Sequence, residues 1–579
     1  MARDVVTDGG DANLARAATL VDALVSAGAR HACLSPGSRS TPIALALARH
    51  PAIELQVHLD ERSSAFVALG IAKATGVPAI VACTSGTAAA EFLPAVVEAS
   101  QARVPLLLLT ADRPPRLRGT GANQTIDQTE LYGRYVRRFI EGALDGTRED
   151  WGVAGATAIT VALGDPPGPV HLNLPFDEPL VPETAPGPAD RATAEARIAE
   201  RIWEGSDAGG PPAIDAPDLI DLLRTDRALD ADRGVVVVGG MPSPPTAILE
   251  LADRLGWPVV AEPPSGVRLP GRALAAGQHL LASATWSDEH APEIVLQVGA
   301  TPTTRVTQRF VRGAERVVVV DRAHLDPDPE RHASMRIDAD PEAVAAALLD
   351  VVPEHPSIRA VAWRTTWEHA DGLARDALDR TLDARDEPFE GRIARDVAAT
   401  IPDDGTLFVG NSMPVRDLDA FMAPRAGLRV LANRGASGID GLVSTALGIA
   451  AAGAPTVALL GDLSLLHDAG ALLWNGSRDL DVVFVVPNNA GGGVFDFTGQ
   501  ADLPEHERLF VTPHGVDLAT LARTARIAHA RVERAKDLIR ALEGAIAARG
   551  TRLLEVPVER AANVPRHAEV QAAVDAALA

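Results

Sequence analysis

Continuous apolar runs of strand length recur along this chain, among them PLLLLTA (105–111), GVVVVGG (234–240), RVVVVD (316–321) and VVFVVPNN (482–489). A strand that is apolar at every position is covered on both faces, whereas a sheet with one wet face shows alternation. Covered strands of this kind run parallel, and parallel strands need a crossover of a dozen or more residues, usually a helix. The stretches between the runs carry that length and a helical apolar period. The pattern predicts an α/β chain built from three open parallel-sheet domains covered by helices.

The runs fall into three groups, which suits a chain of 579 residues, too long for a single core. The first holds HACLS (31–35), ELQVHL (54–59), AIVACTS (79–85), PLLLLTA and GPVHLNL (168–174). The second holds GVVVVGG, PVVAEPP (258–264), EIVLQVG (293–299) and RVVVVD, then a helical stretch over 357–383. The third holds TLFVG (406–410), RVLAN (429–433), TVALLG (456–461), VVFVVPNN and RLLEVPV (552–558). The expected division is a first domain over 1–185, a linker rich in Pro, Ala and charge over 186–217, a central domain over 218–385 and a last domain over 386–579. The turn after the first central strand reads GGMPSPP, not G-x-G-x-x-G, so no dinucleotide site is expected there.

A formal net charge of −23 repels nucleic acid and anionic membrane surfaces at long range, so neither is an expected partner. No apolar run reaches the roughly 20 residues of a membrane span, and the first residues, MARDVVTDGG, lack the core of a secretory leader. Only Cys33 and Cys83 are present, each beside a strand-like run, and they read as small core residues rather than a disulfide framework. The expected setting is the cytoplasm.

In an open parallel sheet, ligands collect at the carboxyl ends of the strands. Asp462 follows TVALLG and Asn489 ends the next run, 27 residues on (489 minus 462). That spacing leaves room for one helix and sets a carboxylate beside an amide oxygen. Hard oxygen ligands suit Mg²⁺, which keeps positions for water and phosphate. Gly491 to Gly493 would let backbone approach a diphosphate closely. Alone, Asp462 could be a helix cap and NNAGGG a turn; together, between two apolar strands, they point to chemistry. In the first domain Glu61 lies between a strand and a helix, where an acid also suits the first helical turn.

A GD dipeptide followed after one helix by NN resembles the diphosphate and metal motif of thiamine-diphosphate enzymes. The resemblance implies that Asp462, Asn489 and the Gly491 carbonyl hold Mg²⁺ or Mn²⁺, with Gly461, Leu463 and Ser464 at the diphosphate. Leu463 departs from the glycine or alanine of many members. Glu61 is then the acid at N1′ of the aminopyrimidine, which lets the cofactor generate its own carbon nucleophile. Ile439 would wedge between the two cofactor rings.

Further segments are similar to one branch of that group, the 2-succinyl-5-enolpyruvyl-6-hydroxy-3-cyclohexene-1-carboxylate synthase family of menaquinone biosynthesis. They are PGSRSTP (36–42), DER (60–62), TSGTA (84–88), TADRPP (110–115), GANQ (121–124), NRGASGIDG (433–441) and GDLS (461–464). The match spans nearly all of the first and last thirds and is weaker in the middle. It implies decarboxylation of 2-oxoglutarate and addition to isochorismate. Both substrates are dianions, and arginine recognises carboxylates by paired hydrogen bonds. Ser38, Arg39, Arg113, Asn123, Gln124, Ser412, Arg416 and Arg434 match substrate-facing positions of the family, with Arg305 carried over from the middle third and Phe495 as an apolar wall. Arg39, Arg113, Gln124, Ser412, Arg416 and Arg434 join Glu61 as the catalytic candidates. A homodimer or homotetramer is implied, with the two halves of each site from different subunits. The alternatives are an acetolactate-synthase-like or other 2-oxoacid decarboxylase, or a non-catalytic ligand-sensing protein of the same fold.

Overall fold

The computed structural model of the chain describes residues 9–183, 228–322, 327–475 and 480–579. Among the described residues there are three sheets, and every strand pair in them is parallel. The first contains β1 (His31–Leu34), β2 (Glu54–Val57), β3 (Ala79–Cys83), β4 (Leu106–Asp112), β5 (Arg138–Glu141) and β6 (Pro169–Pro175), in the order β2-β1-β3-β4-β6-β5. The second contains β7 (Gly234–Val238), β8 (Val259–Ala261), β9 (Ile294–Val298), β10 (Arg316–Asp321) and β11 (Met335–Asp338), in the order β11-β10-β9-β7-β8. The third contains β12 (Thr406–Val409), β13 (Arg429–Ala432), β14 (Thr456–Leu459), β15 (Val482–Asn488), β16 (Ala528–Arg531) and β17 (Thr551–Pro557), in the order β13-β12-β14-β15-β17-β16. Counted from its own first strand, the third sheet repeats the strand order of the first, a duplication that the sequence does not display.

The wholly apolar runs became central strands: every residue of β4 and of β6 is buried. Three strands were not expected, β5, β11 and β16, and each lies at a sheet edge. Their sequences, RFIE, MRID and AHAR, are short, polar and largely accessible. An edge strand has one neighbour and blunts its free side with charge, so it lacks the apolar signature.

By compactness the chain groups into two units. One unit holds the first sheet together with residues 433–453 and 467–480; the other holds the second and third sheets. The linker expected over 186–217 lies outside the described residues.

Within the first unit, helix Glu61–Thr75 is the spine. Asp60 caps its start by accepting from the N–H groups of Arg62 and Ser63, and Gly76, at φ 71°, ends it in the left-handed conformation that favours glycine. Helix Leu442–Ala451 packs along it, and two glycines make the approach possible. A Cβ on Gly70 would lie 2.2 Å from the Thr445 carbonyl oxygen, and one on Gly448 would lie 2.1 Å from that of Val67. Gly448→Ala should therefore lower the denaturant midpoint. Overpacking typically costs about 1–3 kcal/mol, more than the roughly 1 kcal/mol that alanine gains over glycine in a helix. Gly544, in helix Leu538–Ala547, has open space at its Cβ position, so Gly544→Ala is the matched control and should leave the midpoint unchanged or raise it. Equal midpoints for the two variants would remove close helix approach as the reason for Gly448.

Candidate active site

In the second unit the ends of β14 and β15 bring Asp462 and Asn489 together. Asp462 opens the short helix Asp462–His467, a few residues beyond β14, and Asn489 follows β15 directly. Asp462 is 2% exposed. Its Oδ1 accepts from the Leu463 N–H at 2.6 Å, and its Oδ2 accepts from the Gly491 N–H at 3.0 Å and lies 3.3 Å from His514 Nε2. The same Gly491 N–H lies 3.1 Å from Asn489 Oδ1. Carboxylate and amide oxygens thus converge on one small volume, as the spacing predicted. The Gly491 carbonyl accepts from the Gly493 N–H at 3.1 Å.

Gly491 is required by closeness, since a Cβ there would sit 2.6 Å from the Val511 carbonyl oxygen. Ala490, between the two, has a φ of 60°. Burial raises the Asp462 carboxyl above its ordinary range, against the Leu463 amide and His514, which favour the charged form.

Two groups at this end were not found from sequence. Glu390 Oε1 accepts from Asn489 Nδ2 at 2.8 Å, which turns the amide oxygen toward Asp462. Burial, reinforced by the Asp417 charge, raises the Glu390 carboxyl. His514 is the second. Neither lies near the GD or NN motif in the chain, so no local pattern announces it. Among the described residues no group of three or more His, Cys, Asp or Glu side chains is placed to hold a metal. The donors here are one carboxylate with neutral oxygens. That set suits a hard divalent ion sharing its shell with phosphate and water, and it suits a softer metal poorly.

In the first unit a cavity of ≈ 770 Å³ opens at the strand ends, with Ser38, Glu61, Ser85, Glu91 and Gln124 among its lining residues. Burial raises the Glu61 carboxyl; its own backbone N–H opposes this, and the charges of Asp60 and Glu91 reinforce it. A carboxyl of this kind holds a proton at higher pH than a solvated one. Gln124, at φ 53°, donates through Nε2 to the Ser85 carbonyl at 3.0 Å and accepts from Ser85 Oγ at 3.1 Å through its own carbonyl.

The arginines are placed less uniformly. Arg39 is 3% exposed, and its Nη1 donates to the Phe176 carbonyl at 2.8 Å. Arg113 donates to the carbonyl of Asn123 at 2.8 Å, tying two expected substrate residues together. In the second unit Arg416 donates to the Ser412 carbonyl at 2.6 Å. Ser412 itself has φ 72° and ψ −129°, a backbone state that costs on the order of 1–3 kcal/mol and collects at functional sites. Phe495 is half-buried with its ring 5.5 Å from that of Phe510. Arg305 is exposed at the start of helix Arg305–Gly313, beyond β9. Arg434 and Ile439 lie in the first unit, on the segment leading into helix Leu442–Ala451, with Ile439 41% exposed.

Three family models match in succession: thiamine pyrophosphate enzyme, N-terminal TPP binding domain, over residues 15–131; middle domain of thiamine pyrophosphate, over 223–409; and thiamine pyrophosphate enzyme, C-terminal TPP binding domain, over 416–556. Curated relatives match nearly end to end. A 2-succinyl-5-enolpyruvyl-6-hydroxy-3-cyclohexene-1-carboxylate synthase of Thermobifida fusca is 43% identical over 97% of this chain and 99% of its own length. Proteins of the same name from Geobacillus kaustophilus and Halorubrum lacusprofundi are 40% and 39% identical, over 96% and 97% of this chain and 97% of each relative.

Proposed function

The chain belongs to the 2-succinyl-5-enolpyruvyl-6-hydroxy-3-cyclohexene-1-carboxylate synthase family of thiamine-diphosphate enzymes, and from that membership we propose which of its residues carry each part of the reaction. The reaction is the decarboxylation of 2-oxoglutarate and the addition of the remaining succinyl unit to isochorismate, a step of menaquinone biosynthesis. When bound, thiamine diphosphate supplies the carbon nucleophile and the electron sink.

Asp462, Asn489 and the Gly491 carbonyl hold Mg²⁺ or Mn²⁺. The segment Gly461, Leu463 and Ser464 receives the diphosphate through backbone amides and the Ser464 hydroxyl. Glu61 would share a proton with the aminopyrimidine nitrogen N1′, and the proton affinity that burial raises at its carboxyl fits that task. Ile439 would pack between the two cofactor rings, and Phe495 would form an apolar wall. Ser38, Arg39, Arg113, Asn123, Gln124, Ser412, Arg416 and Arg434 bind and orient the two dianions, with Arg305 as an outer contact. The observation that carries this assignment is the meeting of Asp462 and Asn489 oxygens at the Gly491 amide, with Glu390 fixing the amide of Asn489.

The same reading makes the enzyme a homodimer or homotetramer of the cytoplasm. Cys33 and Cys83 are both buried free thiols, as a reducing compartment allows. Among the described residues no helix is long and apolar enough to cross a membrane.

The purified chain with thiamine diphosphate and Mg²⁺ should release CO₂ from 2-oxoglutarate, faster when isochorismate is present, and should leave pyruvate nearly untouched. Preference for pyruvate would replace this reading with the acetolactate-synthase-like one.

A further inference from the structure

Helix Glu61–Thr75 carries a second charged group near its other end. Lys73 Nζ lies 3.0 Å from Glu98 Oε1 on helix Leu93–Gln101, and the two side chains are only 7% and 4% exposed. A buried ion pair is poor evidence for stability, because desolvation offsets much of the attraction. Its partners show what it specifies. Glu98 Oε1 accepts from the Gly435 N–H at 3.0 Å, and Oε2 accepts from the Ala436 N–H at 2.7 Å. Lys73 Nζ also donates to Asn433 Oδ1 at 2.9 Å. Asn433 Nδ2 in turn donates to Thr445 Oγ1 at 2.9 Å, in the helix that follows the loop.

The residue before Arg434 and the two after it are therefore held by one buried charge pair. Two glycines of the loop are consistent with this fit. A Cβ on Gly435 would lie 2.7 Å from the Glu98 carbonyl oxygen, and one on Gly441, at φ 66°, would meet the ring of Phe66 at 2.0 Å. The loop is seated at both ends on the helix that begins with Glu61. Lys73 is twelve residues from Glu61 (73 minus 61), about 18 Å along the helix axis, so the clamp acts at the Arg434 end and not on the activating acid.

We propose that Glu98, charge-paired with Lys73, is a positioning residue that aims Arg434 at a substrate carboxylate. The inference rests on the reading of Arg434 as a substrate contact. Losing the Glu98 charge frees the peptide units on either side of Arg434, and a guanidinium that wanders forms its paired bonds to a carboxylate less often.

Kinetics of the cofactor-loaded enzyme test this. Glu98→Gln should raise KM for 2-oxoglutarate or isochorismate roughly tenfold, the size of one weakened charged contact, with thiamine-diphosphate affinity held within about twofold. Arg434→Ala should raise the same KM, and the double variant should match Arg434→Ala alone, because Glu98 acts through Arg434. Asn433→Ala loosens the loop while leaving the charge pair intact, so it keeps the test open if Glu98→Gln does not fold, and it should raise that KM too. An unchanged KM in Glu98→Gln and Asn433→Ala, or effects that multiply in the double variant, overturns the clamp alone. Normal kinetics in Arg434→Ala overturns the clamp together with the substrate role of Arg434.

Discussion

Asp462→Ala should yield a folded protein that no longer retains thiamine diphosphate. The wild-type carboxylate is buried and accepts two backbone N–H bonds, from Leu463 and Gly491, with His514 beside it. Removing it leaves the Leu463 N–H without this acceptor, at a cost of about 1–3 kcal/mol, while the Gly491 N–H keeps Asn489 Oδ1, so stability falls as well. Asp462→Asn separates the two effects, since it keeps an acceptor of the same shape and loses the charge a divalent ion needs. Both variants should lose on the order of 100-fold or more in cofactor affinity, measured by calorimetric titration with Mg²⁺ present; even outer-shell partners of metal ligands are typically worth 10–100-fold. The pH dependence has a definite sign. Burial raises the Asp462 carboxyl, so the metal-free protein takes up a proton there at a higher pH than a solvated aspartate does, and cation binding must displace it. Wild-type affinity should therefore weaken as pH falls toward that raised value, and the Asn variant should lose this dependence. If Asp462→Ala holds the cofactor as tightly as wild type, the ion is bound elsewhere.

How much of this was legible in the chain depends on the type of signal. Strands buried on both faces announce themselves, because each position in LLLL or VVFVV must be apolar whichever face it meets. The edge strands RFIE, MRID and AHAR could not, since a strand with one neighbour is built from residues that a loop also uses. Asp462 and Asn489 were visible because the parallel fold forces the ends of adjacent strands together, so a spacing along the chain becomes a spacing in space. Glu390 was invisible for the opposite reason. It reaches Asn489 from the start of helix Glu390–Thr400, 99 residues away in the chain, and a lone glutamate in a first helical turn has an ordinary explanation there. Glu98 and Lys73 were hidden in the same way. Each sits on a helix where a charged residue reads as a solvated face, and only the packed structure shows that both are buried.

The arginines mark the limit of motif reading. Their residue types were legible, but sequence does not say which guanidinium is occupied by the fold. Arg39 is only 3% exposed, with Nη1 on the Phe176 carbonyl and Nη2 3.4 Å from Glu178 Oε1, whereas Arg416 is braced by the carbonyl of a strained Ser412. A strained residue persists only where its surroundings hold it, and such residues cluster at functional sites, so the φ of Ser412 is a structural sign at this loop beside its motif.

Glu61→Gln should bind thiamine diphosphate normally and turn over about 10²–10⁴-fold more slowly, the range that a positioned acid or base contributes. Glutamine keeps the shape and a hydrogen-bonding end but cannot take or give the proton at N1′. The fold should survive the change. An acid in the first helical turn is worth about 0.3–1 kcal/mol, and here its loss is offset by relief from the neighbouring Asp60 and Glu91 charges, both of which raise the Glu61 carboxyl. This variant also tests where the site is assembled. Glu61 belongs to the first compact unit and Asp462 to the second, and on the proposed reading each cofactor takes them from different subunits. An inactive Glu61→Gln chain mixed with an inactive Asp462→Ala chain, after dissociation and reassociation, then gives mixed dimers with both defects in one site and neither in the other. With equal amounts and random pairing about half the dimers are mixed, and each has one sound site of two, so activity should recover to roughly a quarter of wild type. Activity that stays at the level of the separate variants, with exchange of subunits demonstrated by mass, would place Glu61 and Asp462 in a site made by one chain.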